Sequence, residues 1–146
     1  MRINEIKNNT GLYVALKLDK KSSKKLYNWF KNQDIEPISK EDFHVTLVYS
    51  KKYISYYPTL EEPIILNPTT FEIKKLGDAL VLSFEDKTLR NKWEYTQKLG
   101  ATWDYDGYIP HITIVYNTEN IDPTKVQPPS FNIVLNKIYN EELKEE

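Results

Sequence analysis

The sequence predicts a single α+β domain built from two similar halves, and three observations carry this prediction. Predicted strands and helices follow the order strand, helix, strand, two further strands, helix, strand, strand. One seven-residue segment occurs twice, as HVTLVYS at 44–50 and HITIVYN at 111–117. No Gly/Ser or Pro/Ser linker divides the chain, and 146 residues suit one domain with one core. We therefore expect residues 1–146 to form a single domain.

The first half is predicted as two strands that flank a helix. β-branched and aromatic residues behind a glycine predict a strand at 11–18. Apolar residues at spacings of three and four predict an amphipathic helix over 22–33, with Ser22 or Ser23 as its N-cap. The first copy of the repeated segment, at 44–50, is the second strand.

The second half is predicted as a hairpin, a helix and two strands. Gly77 and Asp78 suit the turn of the hairpin. Asp86 to Leu99 reads as a helix that ends at Gly100. The predicted strands besides the two repeats and 11–18 are 71–75, 79–85 and 131–139. The irregular connection between Tyr53 and Pro68 can hold one further short strand, at 64–66.

The two copies of the repeat carry the only histidines of the chain. Side chains alternate faces along a strand, so the histidine and threonine of each copy share one face. These pairs are His44 with Thr46 and His111 with Thr113. If the two strands lie side by side, two imidazoles and two hydroxyls converge on one point.

Such a constellation is suited to transfer of a phosphodiester without a metal ion or other cofactor. A neutral imidazole can take a proton from the nucleophile, and an imidazolium can donate one to the departing oxygen. Threonine hydroxyls can hold the non-bridging phosphate oxygens. The alternative is that each histidine only caps its strand through a backbone hydrogen bond.

Composition narrows the class of protein and of ligand. A formal net charge of −1 argues against coating of long nucleic acid by a general basic surface, whereas a small anionic ligand fits. The absence of cysteine excludes a disulfide framework and a thiolate zinc site. The first residues lack the apolar core of a signal peptide, and no apolar run could span a bilayer. We therefore expect a soluble cytoplasmic protein without a membrane partner.

The paired His-x-Thr strands, about half a chain apart, resemble those of the 2H phosphoesterase superfamily. This resemblance implies a 2H phosphoesterase-like fold, with two pseudo-symmetric β/α lobes around a central cleft that holds both motifs. The superfamily includes RNA cyclic phosphodiesterases and ligase-like enzymes, and the motif alone does not choose among them.

A longer set of segments resembles the phage anti-CBASS proteins, phosphodiesterases that degrade the cyclic di- and trinucleotide messengers of a bacterial defence system. The segments are GLYVALK at 11–17, HVTLVYS at 44–50, ALVLSFE at 79–85, LGATWDYDGYIPHITIVYN at 99–117 and IYNEEL at 138–143. They cover nearly the whole chain in order, with the stretch 51–76 left unmatched.

This closer resemblance implies an activity, a partner and a set of residues. The activity is metal-independent hydrolysis of a 3′–5′ bond in a cyclic di- or trinucleotide, in the cytoplasm of the host bacterium, with the ribose 2′-OH as nucleophile. The implied catalytic residues are His44, Thr46, His111 and Thr113. Tyr13 and Glu141 match positions that hold the nucleobases. No cofactor is implied, and no pattern predicts an oligomeric state.

Other aromatic residues are weaker candidates. Trp103 and Tyr108 precede His111 in a loop, where they could form a substrate-binding rim; ordinary loop packing also explains them. From its residue type alone, Tyr13 is equally a half-buried strand tyrosine. Tyr49 and Tyr116 alternate away from the histidines, so we assign both to the core.

Two other functions stay open. One is a 2H enzyme that opens 2′,3′-cyclic phosphates on RNA ends or joins RNA halves, for which a larger basic surface is expected. The other is a module that sequesters a cyclic nucleotide without cutting it.

Overall fold

In the computed structural model, which describes residues 11–55, 58–118 and 120–143, seven strands form one curled antiparallel sheet. The strands are β1 (Gly11–Leu18), β2 (His44–Ser50), β3 (Ile64–Leu66), β4 (Glu72–Leu76), β5 (Ala79–Ser83), β6 (His111–Val115) and β7 (Ile133–Leu143). Their order across the sheet is β3-β7-β1-β2-β6-β5-β4. The predicted α+β class is confirmed, with β1 to β3 at the expected bounds. The last strand runs on past its predicted end to Leu143.

Two helices connect neighbouring strands. They are α1 (Lys20–Lys31), which follows β1, and α2 (Lys87–Lys98), which follows β5. The units β1–α1–β2 and β5–α2–β6 therefore repeat, and they define two lobes that meet where β2 pairs with β6. No helix in the described ranges has the length and apolar character required to cross a membrane.

The N-cap of α1 differs from the prediction. The Asp19 carboxylate, not Ser22 or Ser23, caps the helix by accepting a hydrogen bond from the Ser22 N–H at 2.7 Å. The prediction was wrong because the helix begins at Lys20, which places both serines inside its first turn. Ser22 Oγ accepts a hydrogen bond from the Val134 N–H at 2.9 Å and so ties α1 to β7.

One hydrophobic core lies between the helices and one face of the sheet. Leu26 and Phe30 of α1 and Leu89 of α2 are fully buried there, together with alternate residues of the central strands. Because the apolar side chains of the sheet are directed to this face, its other face is left for polar and aromatic side chains.

Strand β2 contains a β-bulge immediately after its His-x-Thr motif. Val14 of β1 pairs with Val48 of β2. The next residue of β1, Ala15, pairs with Thr46, so Leu47 has no partner of its own. An extra residue of this kind bends a strand and increases its twist.

Strand β6 has the same irregularity at the same place in the repeat. Leu80 of β5 pairs with Val115, and the next residue, Val81, pairs with Thr113. Ile114 is therefore the extra residue, as Leu47 is in β2. The duplication predicted from the sequence extends to this detail of the backbone.

The bulge overturns the assignment of Tyr49 and Tyr116 to the core. Leu47 and Val48 are both fully buried, so the extra residue reverses the alternation and Tyr49 turns to the open face. Tyr49 is 40% exposed, and Tyr116, just past the end of β6, is 55% exposed.

Gly11 permits the close approach of β1 to the end of β2. A Cβ atom at this position would collide with the carbonyl oxygen of Ser50. Because the obstacle is backbone, we expect Gly11→Ala to lower the free energy of unfolding by about 1–3 kcal/mol. Gly107→Ala is the matched control, since no heavy atom lies within 4 Å of a Cβ there. Urea unfolding measures both, and equal losses in the two variants would contradict this account.

Candidate active site

Strands β2 and β6 bring the two His-x-Thr motifs together at the centre of the sheet. Val45 of β2 pairs with Ile112 of β6, and both side chains are fully buried in the core. Their neighbours along each strand therefore face the open side. Because the strands are antiparallel, each histidine lies across from the threonine of the other strand. The residues brought together in this way are His44, Thr46, His111 and Thr113.

The two histidines share one hydrogen-bond arrangement. Nδ1 of His44 lies 2.8 Å from the carbonyl oxygen of Asp42, and Nδ1 of His111 lies 2.7 Å from that of Ile109. A carbonyl oxygen only accepts, so each Nδ1 carries the proton and each neutral ring has its lone pair on Nε2. Each histidine thus makes the hydrogen bond to a backbone carbonyl that a purely structural role would also require. The same hydrogen bond fixes the tautomer that proton transfer through Nε2 requires.

The environment of His111 favours its neutral form. Burial lowers the pKa of this imidazole below its ordinary value, and the charge of His44 lowers it further. The hydrogen bond to the Ile109 carbonyl acts in the opposite direction and is outweighed.

Two cavities flank the row formed by the side chains of His44, Thr46, His111 and Thr113, which we call the His-x-Thr row. The larger has a volume of about 540 Å³, and its lining includes Thr46, His111, Thr113, Tyr49, Trp103 and Tyr105. The smaller, of about 330 Å³, is lined by Lys17, Ile38, Asp42, His44, Tyr116 and Tyr139. The His-x-Thr row thus lies between an aromatic cavity and one with charged residues.

The larger cavity has a simple origin in the repeat. Ala15 of β1 pairs with Thr46, and Val81 of β5 pairs with Thr113, so these two residues correspond in the two lobes. Two positions earlier, Ala79 of β5 therefore corresponds to Tyr13 of β1. Ala79 lines the cavity. A methyl group in the second lobe therefore occupies the place of a phenol ring in the first, which leaves space open beside His111.

Tyr13 lies on the open face of the first lobe, among the catalytic candidates. Its ring centroid is 6.5 Å from that of His44, and its hydroxyl is 3.3 Å from Thr46 Oγ1. Glu141 of β7 is exposed and pairs with Tyr13 in the register of the sheet. The structure thus brings both residues implied by the family resemblance to one edge of the His-x-Thr row.

The two aromatic residues of the loop before His111, Trp103 and Tyr108, lie in different environments. Trp103 is partly buried and lines the larger cavity. Tyr108 is only 5% exposed and stacks on Trp93 with ring centroids 5.2 Å apart. Its hydroxyl donates a hydrogen bond to the Thr46 carbonyl oxygen at 2.8 Å. Tyr108 is therefore corrected from a substrate-binding residue to a support of β2, because its ring is enclosed below the cleft.

Sequence reasoning missed several residues of the cleft, among them Tyr116, which lines the smaller cavity. Lys17 lies four positions after Tyr13 on the same face of β1, and simple alternation could have identified it. Tyr49 was hidden by the bulge. Tyr139 reaches the cleft because it pairs with Ala15, and only the register between β7 and β1 reveals this. Within the described ranges, no three His, Asp or Glu side chains are grouped so as to hold a metal ion.

The fold is that of the 2H phosphoesterases. A solved structure of a phosphoesterase aligns with a TM-score of 0.67 over 92% of this chain and 88% of its own, at 12% identity. E. coli LigT in complex with NADP+ aligns with a TM-score of 0.64, over 91% of this chain and 87% of its own, at 12% identity. LigT in complex with 3′-AMP aligns with a TM-score of 0.61, over 91% and 87%, at 13% identity.

The sequence comparisons identify the family. The profile of the family described as anti-CBASS protein Acb1 matches residues 10–146. The Acb1 of Enterobacteria phage T4 is 34% identical over 93% of this chain and 90% of its own length. That of Escherichia phage RB16 is 31% identical over 82% and 70%. This chain belongs to the Acb1 family of anti-CBASS proteins.

The lowered pKa of His111 predicts a pH dependence of stability. Below pH 6.5 the unfolded chain takes up a proton at His111 more readily than the folded chain, so the free energy of unfolding falls as the pH decreases. His111→Asn can keep a donor near the Ile109 carbonyl without titrating. We expect this variant to lose less stability than the wild type between pH 7.5 and 5.5. Urea unfolding at each pH tests this, and identical slopes would rule it out.

Proposed function

We propose that this protein is a metal-independent phosphodiesterase that hydrolyses the 3′–5′ bonds of cyclic di- and trinucleotide messengers and thereby counteracts CBASS defence. The single observation that carries the proposal is the pairing of two His-x-Thr strands at the centre of one sheet. Membership of the Acb1 family supports the choice of a cyclic nucleotide as the ligand.

The two imidazoles are suited to opposite halves of an acid–base pair. His111, whose lowered pKa favours the neutral form, is the base that takes the proton of the ribose 2′-OH. His44 donates a proton to the departing 5′-oxygen. The 2′-oxygen then bonds to phosphorus as the bond to the 5′-oxygen breaks, which gives a linear product with a 2′,3′-cyclic phosphate.

In the second half-reaction the roles reverse. His44, now deprotonated, takes a proton from water, and water attacks the cyclic phosphate. His111 returns its proton to the 2′-oxygen as that bond breaks, which leaves a terminal 3′-phosphate. Both histidines end in their starting protonation states, so a further cycle needs no external acid or base.

Thr46 and Thr113 are suited to bind the non-bridging oxygens of the same phosphate. Each lies across the strand pair from the histidine of the other motif. A hydroxyl donor placed where charge accumulates stabilises the transition state more than the ground state. The two threonines therefore position charge, whereas the histidines move protons.

The cleft offers aromatic surfaces on both sides of the phosphate position. Tyr49, Trp103 and Tyr105 line the larger cavity, and Tyr13 with Glu141 lies on the other side. Stacking of one base on an aromatic ring contributes about 1–3 kcal/mol. The arrangement suits a ring with two or three bases, which must be held on more than one side of the scissile bond. The site of action under this proposal is the host bacterial cytoplasm.

Removal of either imidazole tests the paired mechanism. We expect His44→Ala and His111→Ala each to lower kcat by about 10²- to 10⁴-fold, because the two groups act as a unit. Thr46→Ala should have a smaller effect, and Thr46→Ser, which retains the hydroxyl, should keep most of the activity. Mass spectrometry of the products from a panel of cyclic di- and trinucleotides in EDTA measures turnover, and circular dichroism checks the fold. Full turnover in either folded histidine variant would contradict the mechanism.

The same assay separates this proposal from the two alternatives. A 2′,3′-cyclic-phosphate RNA is included in the panel, and cleavage of that substrate alone would indicate the RNA-end activity. Recovery of intact cyclic nucleotide from a heat-denatured stoichiometric complex would indicate a non-cleaving sequestering protein.

A further inference from the structure

A third cavity, of about 620 Å³, lies at the end of the sheet where β1 leads into α1. Five lysines and two carboxylates line it, which is an excess of positive charge in a chain whose formal net charge is −1. We call it the basic cavity. Its lysines are Lys17, Lys20, Lys24, Lys40 and Lys137. Lys17 also lines the smaller cavity that contains His44, so the basic cavity adjoins the candidate active site on the His44 side.

Two of these lysines continue a row of the sheet that begins at His44. The register pairs His44 of β2 with Lys17 of β1, and Lys17 in turn with Lys137 of β7. Residues that pair directly across antiparallel strands share a face, so all three side chains lie on the open face. Because neighbouring strands are about 4.8 Å apart, the backbone of Lys137 lies roughly 10 Å from that of His44. The row therefore leads from the proposed phosphate position into the basic cavity.

The second lobe does not carry this charge. His111 pairs with Ser83 of β5, and Ser83 pairs with Glu72 of β4. A hydroxyl and a carboxylate therefore occupy the places that Lys17 and Lys137 have in the first lobe. Since the two lobes share the same strands and the same bulge, the fold itself does not require lysines at these places.

The lysines of the basic cavity are arranged so that they repel one another. Lys17 and Lys137 are direct cross-strand partners, and Lys20 and Lys24 are four residues apart in α1. Like charges in either arrangement destabilise a fold. Within the described residues, the ammonium groups of Lys20, Lys24 and Lys137 form no ion pair or hydrogen bond. A bound anion relieves this repulsion and supplies the missing partner.

The two carboxylates of the basic cavity are engaged elsewhere. The Asp19 carboxylate caps α1 by accepting a hydrogen bond from the Ser22 N–H. The Glu41 carboxylate accepts a hydrogen bond from the Ser39 hydroxyl at 2.6 Å and lies 3.5 Å from the Lys40 ammonium. These contacts leave the other lysines of the cavity available to a ligand.

The proposed reaction directs a second phosphate of the ligand to this side of His44. His44 donates its proton to the departing 5′-oxygen, so the nucleoside that carries this oxygen lies beyond His44. In a cyclic nucleotide joined by 3′–5′ bonds, the same nucleoside carries the next phosphate on its 3′-oxygen. A phosphate with a full negative charge is therefore expected near Lys17 and Lys137.

We propose that the basic cavity binds this second phosphate, the neighbour of the scissile phosphate on the leaving-group side. This inference rests on the proposed phosphodiesterase function and deepens it, because it assigns a separate subsite to a non-reacting part of the ligand. The lysines hold the ligand by charge, whereas the His-x-Thr row carries out the chemistry.

Two probes that cannot be cleaved isolate the second phosphate. Both are adenylyl-(3′–5′)-adenosine with a 2′-deoxy first nucleoside, which removes the 2′-OH nucleophile, and one of them also carries a terminal 3′-phosphate. Calorimetry gives the Kd of each probe. We expect the wild type to bind the phosphorylated probe about five- to tenfold more tightly, because only this probe can fill both phosphate positions.

Lys20→Glu tests the basic cavity with a matched control in the other lobe. We expect it to abolish the preference for the phosphorylated probe and to change the affinity for the other probe less than about twofold. A negative charge at the first residue of a helix is favourable, so the loss cannot come from unfolding of α1. Lys87→Glu is the control: Lys87 is the first residue of α2, follows an aspartate N-cap as Lys20 does, and changes the net charge equally. It should keep the full preference.

Lys137→Glu, which introduces the residue type of the second lobe, should lose the preference as Lys20→Glu does. Equal affinity of the wild type for both probes, or equal losses in Lys20→Glu and Lys87→Glu, would overturn the inference. Binding does not require turnover, so the cleavage panel tests the proposed function separately. A lysine-dependent preference without any cleavage would remove the phosphodiesterase and keep the phosphate site, whereas cleavage without the preference would do the reverse.

Discussion

The pairing of β2 with β6 is the constraint on which the site depends. Val45 and Ile112 meet at this pair and are fully buried, each contributing roughly 1.5–3 kcal/mol through its removal from water. Because side chains alternate along a strand, burial of these two residues directs both His-x-Thr motifs to the opposite face. The helices α1 and α2 cover the core side of the same strands, so the hydrophobic effect that stabilises the fold also sets the direction of the two His-x-Thr motifs.

Duplication accounts for the symmetric part of the site, and divergence for the rest. Both motifs share the bulge and the hydrogen bond from Nδ1 to a carbonyl two residues earlier. The flanking strands have diverged: Tyr13 of the first lobe corresponds to Ala79 of the second. Both threonines line the larger cavity, but only Thr46 is also contacted by a tyrosine. A symmetric pair of imidazoles in asymmetric surroundings suits the proposed reaction, in which one group donates a proton while the other accepts one.

The sequence was sufficient for the fold class, most strand positions and the convergence of the two histidines, because these follow from local periodicity and one repeat. It failed where a side chain's direction depends on another strand. Tyr49 was assigned to the core because a bulge cannot be read from alternation within β2. Tyr139 was missed because its place in the cleft comes from its pairing with Ala15. Tyr108 was misplaced because stacking on Trp93 encloses it, a contact between segments that no local pattern encodes.

The most direct test of the central claim is a crystal structure with a cyclic dinucleotide in which sulfur replaces a non-bridging oxygen of each phosphate to slow cleavage. If both histidines act on one phosphate, one phosphorus atom lies between the two imidazoles, with Nε2 of His44 and Nε2 of His111 each about 3 Å from a different oxygen on opposite sides of it. A ligand whose phosphates contact only one histidine, or neither, would contradict the paired arrangement.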